Sequence, residues 1–124
     1  MGLRILIVDD SMVMRMMVQR NLRLAGFTLD KVIEAADGED ALKKFNAAEI
    51  DAVLSDLHMP KMDGYELARR IRQIPASTPI LLITAEGSQA KIEDAVKAGV
   101  NAYLNKPPTP EELTSKLQQI LPVK

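Results

Sequence analysis

At 124 residues the chain suits one compact domain with a single core, and a second domain has no room. Its 16 basic and 17 acidic residues give a formal net charge of −1 without a basic block, which argues against direct DNA binding through phosphate neutralisation. Cysteine is absent, excluding disulfides and thiolate chemistry, and no apolar run approaches the roughly 18 residues needed to span a bilayer. These features, with no signal-peptide pattern at the N-terminus, fit a cytoplasmic protein that has no membrane partner.

The elements alternate along the chain. Leu3–Val8 is apolar and β-branched and predicts a buried strand. Ser11 is a candidate N-cap for a helix to about Ala25, with Met14, Met17, Val18, Leu22 and Ala25 on one face and Gly26 as the stop. Met12 and Met16 fall off that face and are expected to be exposed. Residues 31–35 predict a second strand, and residues 39–46 a helix with Ala41, Leu42 and Phe45 as its apolar stripe. Residues 51–55 form the third strand. Pro60 and Gly64 make a loop before a helix carrying Tyr65, Leu67, Ala68 and Ile71. Residues 80–83 are strand four. Ser88 caps a helix using Ile92, Ala95 and Val96 and ending at Gly99, and residues 101–104 are strand five. A last helix opens with Thr109, Pro110 and Glu112 in the capping-box arrangement, and its apolar face is Leu113, Leu117, Ile120 and Leu121. Five strand–helix pairs in strict alternation argue for an α/β domain, a parallel sheet covered on both faces, with strands one and four central.

Candidate site residues stand at the strand ends. Asp9 and Asp10 follow strand one, Asp56 follows strand three, Thr84 follows strand four, and Lys106 comes shortly after strand five. In a parallel sheet these ends share one edge, where ligands of open α/β sheets bind. Three carboxylates, a hydroxyl and an ammonium suit a hard divalent cation such as Mg²⁺ together with a phosphoryl group. Asp56 is a carboxylate nucleophile in the making, one that would form an aspartyl phosphate. Each residue alone has a plainer reading: helix capping for Asp9 and Asp10, an ordinary loop or strand-end position for Asp56 and Thr84, a solvated surface cation for Lys106. The joint arrangement carries the signal. Lys106 precedes Pro107 and is thereby confined to extended geometry, and whether that peptide bond is cis or trans stays open.

The pattern Val8-Asp9-Asp10-Ser11 with Arg15, Ser55-Asp56, Met59-Pro60, Met62-Asp63-Gly64, Thr84-Ala85-Glu86, Ala98-Gly99 and Lys106-Pro107 resembles the response-regulator receiver domains of two-component signalling. It is most similar to their single-domain chemotaxis branch, and the likeness covers nearly the whole chain, 1–124. It implies a (βα)5 doubly wound, flavodoxin-like fold with the sheet order 2-1-3-4-5, of which receiver domains are themselves a standing example. It further implies that Asp56 accepts phosphate from a sensor histidine kinase. Mg²⁺ would be held by Asp10, Asp56 and the backbone carbonyl of His58, with Asp9 acting through water. Lys106 would pair with the phosphoryl group. Thr84 and Tyr103 would move on phosphorylation and change binding to an output partner such as a flagellar motor switch protein. A phosphatase is a further implied partner. Such a protein is a phosphoacceptor that assists its own phosphorylation and dephosphorylation, not an enzyme acting on a separate substrate.

Two departures stand out. The resemblance puts His58, two past Asp56, at a position that helps set phosphate lifetime, with Glu86 facing it across the site. A His58–Glu86 contact would modulate that lifetime by partly screening the attacking water, while the plainer reading has both side chains pointing to solvent. Pro108 replaces a bulky apolar residue, stiffening the loop after Lys106 and removing a donor. Other functions on this fold fit less well. A Mg²⁺-dependent phosphohydrolase would need an acid where His58 stands and a substrate cap. A flavin or nucleotide module would need glycines where Asp9, Asp10, Ser11 and Met12 stand. A pure interaction domain would not need the five site residues, and a receiver serving a pathway other than chemotaxis remains the main alternative.

Overall fold

The computed structural model describes residues 2–74, 77–85 and 88–121. Five strands, β1 (Leu3–Val8), β2 (Leu29–Ala35), β3 (Ala52–Ser55), β4 (Ile80–Thr84) and β5 (Ala102–Asn105), alternate with five helices. These are α1 (Met12–Leu24), α2 (Gly38–Lys44), α3 (Gly64–Gln73), α4 (Gln89–Ala98) and α5 (Pro110–Ile120). All strand pairs are parallel and the order is β2-β1-β3-β4-β5. The middle strand is therefore β3, flanked by the expected β1 and β4.

Successive strand residues point to opposite faces, so a strand covered on both sides must be apolar throughout. In β1, Leu6 and Val8 join a core with Ala41, Leu67, Ala68, Ile71, Ala95 and Ala98, beneath α2, α3 and α4. Ile5 and Ile7 join the other core with Val18, Leu22, Leu113 and Leu117, beneath α1 and α5. This is the two-sided cover that alternation predicts.

Several boundaries differ from the sequence-based expectation, each for a local reason. Strand β2 starts two residues early, because Leu3 N–H donates to the Thr28 carbonyl at 2.7 Å and Leu29 pairs with Leu3. Asp30, a poor strand former, stands unpaired at the register shift between the Leu29–Leu3 and Lys31–Arg4 pairs. Helix α2 stops at Lys44, not at residue 46. Phe45 is extended, and the Asn46 side chain accepts from Ala48 N–H at 3.0 Å, so Asn46 opens a turn. Val96 does not lie on the buried face of α4. It is 66% exposed, while Ala95 and Ala98, three apart, make the contact. Met12 and Met16 are exposed as expected, together with Val13. Among the described residues no helix is long and apolar enough to cross a membrane.

Candidate functional site

The C-terminal sheet edge gathers most of the residues that the sequence singles out. Beyond Val8 the ladder continues: Asp9 N–H donates to the Ala35 carbonyl at 3.0 Å, and Asp56 N–H to the Val8 carbonyl at 2.8 Å. These bonds place both aspartates just past the end of the sheet, where the chain turns. Carboxylate oxygens of Asp9, Asp10 and Asp56 lie within 4.8 Å of one another. Asp9 and Asp56 are buried, while Asp10 is exposed. Helix capping does not explain the pair. Ser11 is the N-cap of α1, its Oγ accepting from Met14 N–H at 3.2 Å.

Lys106 completes the cluster. Its Nζ donates to Asp9 Oδ2 at 2.8 Å and to Asp56 Oδ2 at 3.0 Å, and its side chain is only 17% exposed. Burial lowers the lysine's pKa, but the hydrogen bonds to Asp9 and Asp56 and their charges outweigh this and raise it above 10.5, so the ammonium form is favoured. Lys106 N–H donates to the Thr84 carbonyl at 2.9 Å. Thr84 closes β4 as part of the strand and is fully buried. Tyr103 is half-buried on β5, and its hydroxyl donates to Asn105 Oδ1 at 2.7 Å. His58 is exposed. Glu86, its candidate partner, lies outside the described residues.

The remaining polar groups around Asp9 are also engaged. Oδ1 accepts from Ser11 N–H at 2.9 Å, and the backbone carbonyl accepts from Arg15 Nη1 at 2.6 Å. Arg15 Nε donates to Glu34 Oε1 at 2.9 Å, tying α1 to β2. In the sequence Arg15 is marked only as part of the motif around Asp9 and Asp10. Its signal is position: it sits one turn after Ser11, and helical side chains lean toward the N-terminus, here toward the end of β1.

The loop after Asp56 is fixed from three directions. Asp56 Oδ1 accepts from Leu57 N–H at 2.7 Å, and Gly64 N–H donates to the Leu57 carbonyl at 2.8 Å. Between them Met62 N–H donates to the Pro60 carbonyl at 2.7 Å across Lys61, whose φ is 69°. A non-glycine residue there stores about 1–3 kcal/mol of strain. Asp63 then caps α3, accepting from Glu66 N–H at 2.8 Å. On the opposite side of the site, the Lys106–Pro107 bond is cis. Pro108 is buried, and its carbonyl accepts from Asn21 Nδ2 at 2.9 Å.

Chemically, three carboxylates at this spacing fit a hard divalent cation that takes oxygen ligands and keeps several waters. The single ammonium leaves a net local deficit of positive charge that such an ion would relieve. An Asp10→Asn variant is therefore expected to lose at least about tenfold in Mg²⁺ affinity, about 1.4 kcal/mol. It is also expected to gain up to about 1 kcal/mol of stability from removing a like charge at the exposed rim. Calorimetric Mg²⁺ titration and urea unfolding check both.

An acidic trio and one lysine at the edge of a 2-1-3-4-5 parallel sheet define a receiver domain. The comparison with known proteins agrees: the profile of the response regulator receiver domain matches residues 5–118, and the chain belongs to that family. Among its relatives is the chemotaxis protein CheY1 of Helicobacter pylori, 38% identical over 122 residues, covering 96% of this chain and 97% of the relative. The CheY homolog of Campylobacter jejuni is 37% identical, covering 96% of this chain and 92% of its own. Among solved structures, the chemotaxis regulator CheY4 of Vibrio cholerae superposes with a TM-score of 0.84 at 38% identity, covering 98% of this chain and all of that one. The CheX–CheY–BeF3–Mg²⁺ complex of Borrelia burgdorferi gives 0.85 at 28% identity, covering 95% and 88%.

Proposed function

We propose that this protein is a phosphorylation-activated response regulator in which Asp56 accepts a phosphoryl group from a sensor histidine kinase. The observation that carries this reading is the convergence of Asp9, Asp10, Asp56 and Lys106 at one sheet edge. The Asp56 carboxylate attacks phosphorus. The phosphorus–nitrogen bond of the donor phosphohistidine breaks, and the imidazole leaves with the electron pair. Lys106, already in the ammonium form and already beside Asp56, neutralises charge on the phosphoryl oxygens. Thr84, at the neighbouring strand end, supplies a hydroxyl to the same group.

Asp10, Asp56 and the His58 carbonyl are the residues that would hold Mg²⁺, with Asp9 next to them. When bound, the ion offsets carboxylate repulsion and screens the incoming phosphoryl charge. Its presence in the Borrelia complex supports the assignment.

Output follows from a two-state switch. Thr84 and Tyr103 shift toward the phosphorylated site and alter the surface formed by α4, β5 and α5. The Tyr103–Asn105 hydrogen bond holds the tyrosine in its present position and must break for that shift. The names of the relatives support a chemotaxis role; we infer a flagellar motor switch protein as output partner and a phosphatase that resets the state. We place the exchange in the cytoplasm and read the protein as a phosphoacceptor, not as an enzyme with a separate substrate.

The test uses acetyl phosphate as donor. Wild-type protein incubated with it and Mg²⁺ is expected to gain the mass of one phosphoryl group, and to gain none when EDTA removes the metal. No gain under either condition would overturn the reading.

A further inference from the structure

We propose that Asn21 is a positioning residue for Lys106. Its side-chain amide grips the Pro108 carbonyl and thereby holds the two-proline segment that delivers the lysine to the carboxylates.

Lys106 has to bring one nitrogen within 2.8 Å of Asp9 and 3.0 Å of Asp56. A lysine stem is flexible, so the placement of its backbone decides how often the ammonium is in reach. Upstream that backbone is secured by the Lys106 N–H bond to the Thr84 carbonyl. Downstream the usual anchors are missing by chemistry. Pro107 and Pro108 have no N–H, so their stretch of chain can be fastened only through carbonyl oxygens. The next backbone donor, Thr109 N–H, goes to Glu112 Oε1 at 3.1 Å, which ties the start of α5 to itself and not to the sheet.

The bond from Asn21 Nδ2 to the Pro108 carbonyl, 2.9 Å long and bridging 87 residues, fills this gap. Its surroundings make it effective. Pro108 is buried, so water is a poor substitute partner. Asn21 is rooted on a rigid part of α1: its neighbour Leu22 is fully buried in one core cluster with Leu113 and Leu117 of α5. An apolar residue at position 21 would serve the packing between α1 and α5. An amide is needed only for the carbonyl. Helix α1 thus reaches both halves of the site, Arg15 taking the Asp9 carbonyl and Asn21 the Pro108 carbonyl.

The experiment compares wild type with Asn21→Leu, which removes the donor and keeps the bulk. Reductive methylation with formaldehyde and a borohydride, read by peptide mapping, reports the accessibility of Lys106 without metal or phosphate. Asn21→Leu is expected to raise labelling of Lys106 by at least about threefold while that of Lys31, across the sheet, stays unchanged. A second arm, resting on the proposed function, measures the rate of phosphorylation by acetyl phosphate. Asn21→Leu should slow it by at least about threefold when Lys106 is present and leave it unchanged in a Lys106→Met background. Unaltered Lys106 labelling, or equal slowing in both backgrounds, overturns the proposal. If wild type takes up no phosphoryl group, the proposed function fails, and the labelling arm alone decides the role of Asn21. Should Asn21→Leu fail to fold, Asn21→Asp removes the same donor at the same size and carries the comparison.

Discussion

Asp56→Asn is expected to abolish phosphoryl uptake while leaving the fold intact. The amide oxygen can still accept from Leu57 N–H, which the Asp56 carboxylate now does at 2.7 Å, so the turn after β3 keeps its bond. What disappears is chemistry. A neutral amide is a poor nucleophile and a weak ligand for a hard cation. Lys106 loses one of its two charged partners, Asp56 Oδ2 at 3.0 Å, and keeps Asp9 at 2.8 Å. Removing one of three crowded carboxylates also relieves repulsion, so the variant should unfold at no lower urea concentration than wild type. Intact mass after treatment with acetyl phosphate and Mg²⁺ checks the first part, and urea unfolding checks the second. Phosphoryl gain by the variant would move the acceptor elsewhere.

Gly64→Ala is the second change with a large expected effect, and here the fold itself suffers. Gly64 opens α3 directly behind Asp56. A Cβ there would run into the carbonyl oxygen of Asp56 and stand 2.9 Å from Leu82 Cδ1 and 3.0 Å from Leu57 Cα. Two of these obstacles are backbone atoms, which cannot turn aside as a side chain can. Overpacking of this kind costs about 1–3 kcal/mol. The chain's relief, a shift of the Asp56–Leu57 backbone, would also disturb the Gly64 N–H bond to the Leu57 carbonyl at 2.8 Å and carry the carboxylate off its line to Lys106. The expected result is a lower urea midpoint together with slower phosphorylation, even under conditions where the variant is fully folded. Wild-type stability in Gly64→Ala would contradict the close approach.

How far the sequence reveals all this depends on the range of the interaction. Local signals were strong. Ser11, Ser88 and Thr109 cap the helices they precede, and the capping box of Thr109 and Glu112 is formed. Apolar runs such as Leu3–Val8 mark strands covered on both faces, and the strand ends bring Asp9, Asp10, Asp56 and Lys106 together as expected. The sheet order came from the family resemblance, because alternation of elements permits several orders.

What stayed hidden depends on partners distant in sequence or on near-equal energies. Leu29 becomes strand through pairing with Leu3 of β1, and Asp30 is carried along as the extra residue where the register shifts before Lys31 pairs with Arg4. Val96 looked like part of a buried stripe, but a ten-residue helix that packs through Ala95 and Ala98 turns it outward. Asn21 carries no motif, and its partner lies 87 residues away. Pro108 was legible as a stiff, donor-poor position, whereas the capture of its carbonyl was not. The cis geometry at Lys106–Pro107 was open because cis and trans differ little in energy before proline.

The most direct test of the central claim locates the phosphoryl group chemically. An acyl phosphate is reduced by borohydride to an alcohol, so phosphorylated aspartate becomes homoserine. Wild-type protein treated with acetyl phosphate and Mg²⁺, reduced and mapped by peptide mass spectrometry, is predicted to carry homoserine at position 56 and nowhere else. A phosphoryl group on His58, Thr84 or Ser55, or homoserine at Asp9 or Asp10 in place of Asp56, would contradict it.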